Sequence, residues 1–251
     1  MAAILSPRRA VGAVGGALVA GQWAPASAAV LPAAARAFRI PTRIPAARGV
    51  LLTFDDGPHP DGTRAVLAAL EHAGITAVFF VCGEQVARHP GVVREITAAG
   101  HELGLHGYRH RTRIQWSAQT LADDLRRAVD VVCDVTGVTP RLYRPPHGVF
   151  SVTGLRVIRS QGLEPLLWSK WGRDWRRGAT PSTIAAAATA GLAAGDVILL
   201  HDSDSYGAAE SWRATAAAVP LIVESIRSAG LAFASARRGL LPPPVLRTNF
   251  A

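Results

Sequence analysis

From Gly49 onward, short apolar runs alternate with longer segments whose apolar positions recur every three or four residues. The runs GVLLTF (49–54), TAVFFVC (76–82), HELGL (101–105), RLYR (141–144), EPLLW (164–168), DVILL (196–200) and LAFASA (231–236) read as strands. Between them, residues 61–74, 90–100, 120–137, 153–162, 180–195 and 211–230 have helical spacing. Glycine stops at Gly74 and Gly137 and the Thr180–Pro181 start fit helix ends, while Pro220 predicts a kink or split in the last helix. Alternation of this kind implies parallel βα units. About seven such units predict either a barrel or a doubly wound sheet, and the spacing alone does not choose between them.

Residues 29–48 lie outside this pattern. They contain Pro32, Pro41 and Pro45 and no acid, and read as a linker or wrapped arm before a domain at 49–251. Residues 1–28 have the layout of a secretory signal peptide: Arg8 and Arg9, an acid-free Ala/Gly/Val run, then Ala26, Ser27 and Ala28. The paired arginines before a glycine-rich run also suit twin-arginine export. The run is too short and too rich in glycine for stable membrane insertion. A secreted or cell-wall-associated monomer is therefore expected.

Composition changes this picture little. Nearly half of the 251 residues are hydrophobic, so a large core is available. The formal net charge is +9, and Lys170 is the only lysine. Such a balance suits an anionic surface, but no nucleic-acid-reading element accompanies it, so no nucleic-acid partner is expected. Cys82 and Cys133 sit in apolar segments without zinc-knuckle spacing and read as two buried free thiols.

The polar residues at strand ends are more informative. Asp55 and Asp56 close the first run, His106 and His110 follow the third, and Arg144 follows the fourth. Asp174 and Trp175 come after the fifth, and His201 and Asp202 after DVILL. In parallel α/β folds, sites gather at the carboxyl ends of strands, so these groups are expected at one mouth. Two histidines four residues apart, together with Asp56, offer two nitrogens and one carboxylate oxygen to a zinc ion, leaving a position for water. Adjacent aspartates cannot flank a glycosidic bond, which disfavours a two-carboxylate glycosidase. His72 and His89 read as solvent-facing helix residues, and His101 as ordering its own turn.

In order and spacing, TFDDGP, HGYRH, RPPHG, DW and LLHD resemble the five motifs of the polysaccharide deacetylase family, also called the NodB-homology or carbohydrate esterase family 4. The resemblance spans about residues 49–236. It implies a distorted (β/α) barrel of about seven repeats and metal-dependent removal of acetyl groups from N-acetylglucosamine polymers such as peptidoglycan or chitin oligomers. By the same resemblance, Asp56, His106 and His110 would hold a divalent metal, with Zn2+ the expected one. Asp55 would be the base, with Arg144 holding it in place. His201 would be the acid, supported by Asp174. The backbone N–H at His147 would face the oxyanion, and Trp175 and Leu199 would line the acetyl pocket.

Three positions depart from the family pattern. Gly107 stands where Ser or Thr is usual, Trp171 where an aspartate is usual, and His147 where tyrosine is usual. The same chemistry would serve an O-acetyl xylan esterase or a hydrolase of a small cyclic amide. A non-catalytic glycan-binding module is the remaining reading.

Overall fold

The computed structural model describes residues 21–44, 49–111 and 117–235. Arg8 and Arg9 of the expected leader, and the chain beyond residue 235, lie outside the described residues.

Eight parallel strands form one curled sheet: β1 (Gly49–Asp55), β2 (Val78–Val81), β3 (Glu102–Leu105), β4 (Leu142–Tyr143), β5 (Glu164–Pro165), β6 (Lys170–Trp171), β7 (Val197–His201) and β8 (Ala232–Phe233). The order is β5-β4-β3-β2-β1-β7-β6, with β8 added to the start of β1. Every residue of β1 is buried, as a central strand covered on both faces requires. One curled sheet with β1 at its centre is the open (β/α) barrel, which settles the choice that spacing left open.

Of the expected strand at 164–168 only the first two residues pair, as β5, and a second short strand, β6, follows just beyond it at Lys170–Trp171. β5 pairs with β4, and β6 pairs with β7, so these sequence neighbours form the two edges of the sheet. The N-terminal segment crosses the resulting seam. Leu167 N–H donates to Pro41 O at 2.9 Å and Ile44 N–H to Gly195 O at 2.8 Å, while Arg43 bridges to Asp196. This segment includes a short helix, α1 (Pro32–Ala37), and buries Ala28, Ala35, Ile40 and Ile44.

The remaining helices are α2 (Gly62–Ala73), α3 (Gly83–Arg88), α4 (Pro90–Ala98), α5 (Ala118–Thr136), α6 (Val152–Ser160), α7 (Pro181–Thr189) and α8 (Ser211–Ser228). Ser117 and Ser151 cap α5 and α6 with their hydroxyls, and Thr180 with Thr183 forms a capping box at α7. The split allowed for at Pro220 does not occur. α8 runs through it, with the proline on the exposed side and the neighbours Ala218, Val219 and Ile222 anchored in the core.

Two smaller corrections concern buried polar groups. Both cysteines are free, but only Cys82 is buried; Cys133, on the flank of α5, is half-buried. His101 does not order its own turn. Its Nδ1 accepts from Ala77 N–H at 3.2 Å, which ties the start of β3 to the residue before β2.

Candidate active site

A strand alternates its side chains, so Asp55 and Asp56 should point to opposite faces. The chain avoids this by leaving the strand at Asp56, which has φ of +80°. Aspartate tolerates the left-handed region better than most residues. Gly57 follows because a Cβ there would collide with the Asp202 carboxylate. The turn brings both aspartates to the same cavity.

Asp55 is nearly fully buried, and its Oδ1 accepts from Arg144 Nη1 at 2.7 Å. The same nitrogen reaches Thr53 Oγ1 at 2.8 Å. Arg144 further donates from Nε to Leu166 O at 3.0 Å and from Nη2 to Leu167 O at 2.9 Å. Four oxygens thus orient one guanidinium, and Oδ2 of Asp55 is left facing His106 Nε2 at 3.9 Å.

Asp56 Oδ1 lies 3.4 Å from His106 Nε2 and 3.3 Å from His110 Nε2. His106 Nδ1 lies 2.8 Å from Arg144 O. A carbonyl can only accept, so Nδ1 carries the proton and Nε2 turns a lone pair to the cavity. Burial, opposed by the charge of Asp56, brings His110 down to about 4, so this imidazole is neutral near pH 7. Asp56 Oδ1 is buried with no hydrogen-bond partner. One atom from each of the three residues lies within 4.8 Å of the others. An orphaned carboxylate oxygen between two imidazole lone pairs costs free energy unless a cation joins them. The donor set of two nitrogens and one oxygen fits zinc.

His201 closes β7. Its Nδ1 meets Asp174 Oδ1 at 2.9 Å, while Asp174 Oδ2 accepts from His201 N–H and from Thr215 Oγ1. Burial opposes a charge on His201, but Asp174 first, then Asp56 and Asp55, lift it to about 10. Its Nε2 is 4.0 Å from Asp56 Oδ2. Trp175 holds the ring edge-on at 5.2 Å.

These residues line one cavity of about 230 Å3, with His147, Trp168, Trp171, Trp175, Leu199 and Tyr206 completing its walls. Every site residue expected from the sequence therefore lies at this mouth or directly behind it. Trp171 and His147, two of the three unusual positions, both stand in these walls. Trp171 stacks with Trp168 at 6.0 Å and tilts against Trp175 at 5.6 Å. His147, at φ of +59°, meets the His110 ring edge-on at 4.8 Å.

Sequence reasoning missed several supporting residues. Thr53 stands two positions before Asp55, so strand alternation could have placed it on the same face. Tyr206 stacks on His110 at 4.0 Å and 13°, and Thr215 holds Asp174 from α8. Neither has a local signal, because each reaches the site from a distant part of the chain.

The family model for polysaccharide deacetylase matches residues 43–166. A chitooligosaccharide deacetylase of Bradyrhizobium sp. is 34% identical over 158 residues, 62% of this chain and 71% of that protein. The chain belongs to the polysaccharide deacetylase family. The family 4 carbohydrate esterase from Streptomyces lividans, solved in complex with acetate, is 32% identical with a TM-score of 0.67, covering 76% of this chain and 94% of that one. A peptidoglycan-N-acetylglucosamine deacetylase of Listeria monocytogenes is 30% identical over 184 residues. That match covers 73% of this chain but spans only 37% of the longer relative.

Proposed function

We propose that the protein is a secreted, metal-dependent hydrolase that removes N-acetyl groups from N-acetylglucosamine residues of a polysaccharide, either peptidoglycan or chitin-like oligomers. One observation carries the reading. The buried, unpartnered Asp56 Oδ1 faces His106 and His110, and two proton-transfer groups, Asp55 and His201, stand within 4.0 Å of these ligands.

Asp56 Oδ1, His106 Nε2 and His110 Nε2 would hold the metal. When bound, a divalent ion such as zinc brings the pKa of water towards roughly 7 and polarises the acyl carbonyl. Asp55 has committed Oδ1 to Arg144, so Oδ2 is the oxygen that accepts the proton of the attacking water. The backbone N–H of His147 would face the carbonyl oxygen as it gains charge. His201 keeps a proton on Nε2 at neutral pH because Nδ1 is paired with Asp174, and it gives this proton to the departing sugar amine. The products are acetate and a free amine. Trp175 and Leu199 supply the apolar wall for the acetyl methyl.

Export rests on the leader pattern at residues 1–28 and on the basic balance of the chain. No helix of the described residues is long and apolar enough to cross a membrane.

The test is acetate release from chitotetraose, peptidoglycan and acetyl xylan by the zinc-loaded protein. Release from the N-acetylated glycans, abolished by a chelator and restored by zinc, is expected. Absence of acetate from every N-acetylated glycan at any metal loading would overturn the reading.

A further inference from the structure

A second hollow, about 650 Å3 in volume, lies where the N-terminal segment crosses the barrel seam. Its lining includes Arg36, Arg39, Arg43, Ile40, Ser169 and Trp168. Trp168 also lines the reaction cavity, so one indole is common to both. From it, the stacked and tilted rings of Trp171 and Trp175 lead back to His201.

The three arginines differ in their commitments. Arg43 is paired at 2.7 Å with the buried Asp196, whose carboxylate also takes Ser169 Oγ and Ala193 N–H. Among the described residues, no acidic side chain reaches Arg36 or Arg39, and the chain has no Asp or Glu before Asp55. A fourth guanidinium, Arg159, anchors the segment by donating to Phe38 O and Arg39 O at 2.8 Å each. The backbone is therefore held while two exposed guanidinium groups stay available beside the hollow. A guanidinium fork matches a carboxylate bidentately, and its charge attracts one over several ångströms.

We propose that this hollow is a subsite for an anionic substituent of the substrate, a carboxylate on a sugar next to the one deacetylated, so that the enzyme favours an acidic glycan over a neutral one. The proposal rests on the glycan-deacetylase reading of the neighbouring cavity and narrows its substrate class.

The test compares wild type with the Arg36→Gln/Arg39→Gln double variant on peptidoglycan glycan strands, whose alternate sugars carry a lactyl carboxylate, and on neutral chitotetraose. At low salt, kcat/KM for the acidic strands is expected to fall about fivefold to tenfold, with added salt erasing the difference. The value for chitotetraose should change by less than about twofold, because neither arginine touches the reaction cavity. Equal changes on both substrates, or none on either, overturn the subsite. Binding of a fluorescent glycan strand to the metal-free proteins gives a separate readout. If no substrate releases acetate yet the double variant binds the acidic strand more weakly, the catalytic reading fails and the subsite stands.

Discussion

Arg144 and Asp55 meet at 2.7 Å, with the arginine side chain fully buried and the aspartate 3% exposed. A lone buried charge is costly, so each side chain is tolerable only because the other is present. The Phe80 ring covers the guanidinium at 4.0 Å, and the carbonyls of Leu166 and Leu167 occupy its remaining edges. Arg144→Met should therefore lower unfolding free energy by about 3–5 kcal/mol, because it strands Asp55. Arg144→Lys keeps a charge but loses the fork, and should lose about 1–3 kcal/mol. Urea unfolding of the two variants measures both. Equal stability of Arg144→Met and wild type would show that the pair is not what holds Asp55.

His201 and the metal ligands should separate cleanly. His201→Ala is expected to lower kcat by about 10²–10⁴ without changing zinc stoichiometry, since the ring is paired with Asp174 and is not among the converging donors. The high-pH limb of kcat/KM should then report loss of the His201 proton. Asp174→Asn removes the charge that lifts His201 and should move that limb to lower pH. A pH–rate series with zinc analysis checks both outcomes.

Tyr206 should support His110 through its ring and be held by its hydroxyl. The hydroxyl donates to Glu84 Oε1 at 2.8 Å, while the ring lies flat on His110. Tyr206→Ala is expected to weaken zinc binding about tenfold, the scale of losses when a ligand's support is removed. Tyr206→Phe keeps the stack and should lose less than about threefold. Competition with a chromophoric chelator gives the affinities independently of turnover.

Asp202 predicts a pH dependence of stability. Burial, the largest influence, raises its carboxyl to about 7, against the hydrogen bond from Thr63 and with help from the charge of Asp56. Between about pH 4 and 7 the folded protein holds a proton that the unfolded chain has released, so stability falls as pH rises through this window. Asp202→Asn accepts from Thr63 without a charge and should gain stability over wild type progressively from pH 4 to 7. The difference, on the order of 2–4 kcal/mol, should level off above pH 7. Melting temperatures of the metal-free proteins from pH 4.5 to 8 measure it. A constant offset across that range would count against the assignment.

Much of the architecture was readable from local pattern. Strands β1, β2, β3 and β7 are buried on both faces, so their sequences are near-continuous apolar runs. Helix α7 announces its start through Thr180, whereas the Ser117 cap of α5 lies ahead of the start expected at 120. The stretch at 164–168 misled because β5 is only two residues long and β6, equally short, lies beyond it at Lys170–Trp171, below the length at which periodicity has meaning. Helix α1 was hidden because residues 29–48 lack charge pattern and carry three prolines, and what orders it is packing against the seam.

The sequence by itself determined which polar groups gather at the candidate site, since Asp55, Asp56, His106, His110, Arg144, Asp174 and His201 all fall at or just beyond strand ends, and parallel βα units bring those ends together. It could not supply the contacts on which the proposed division of labour rests. Those are the left-handed turn at Asp56, the Arg144 contact that claims one oxygen of Asp55, and the Arg144 carbonyl that sets the His106 tautomer. Nor could it show Arg36 and Arg39 beside Trp168, about 130 residues away along the chain. Hydrogen-bond direction and burial depend on partners distant in sequence, and only the folded chain supplies them.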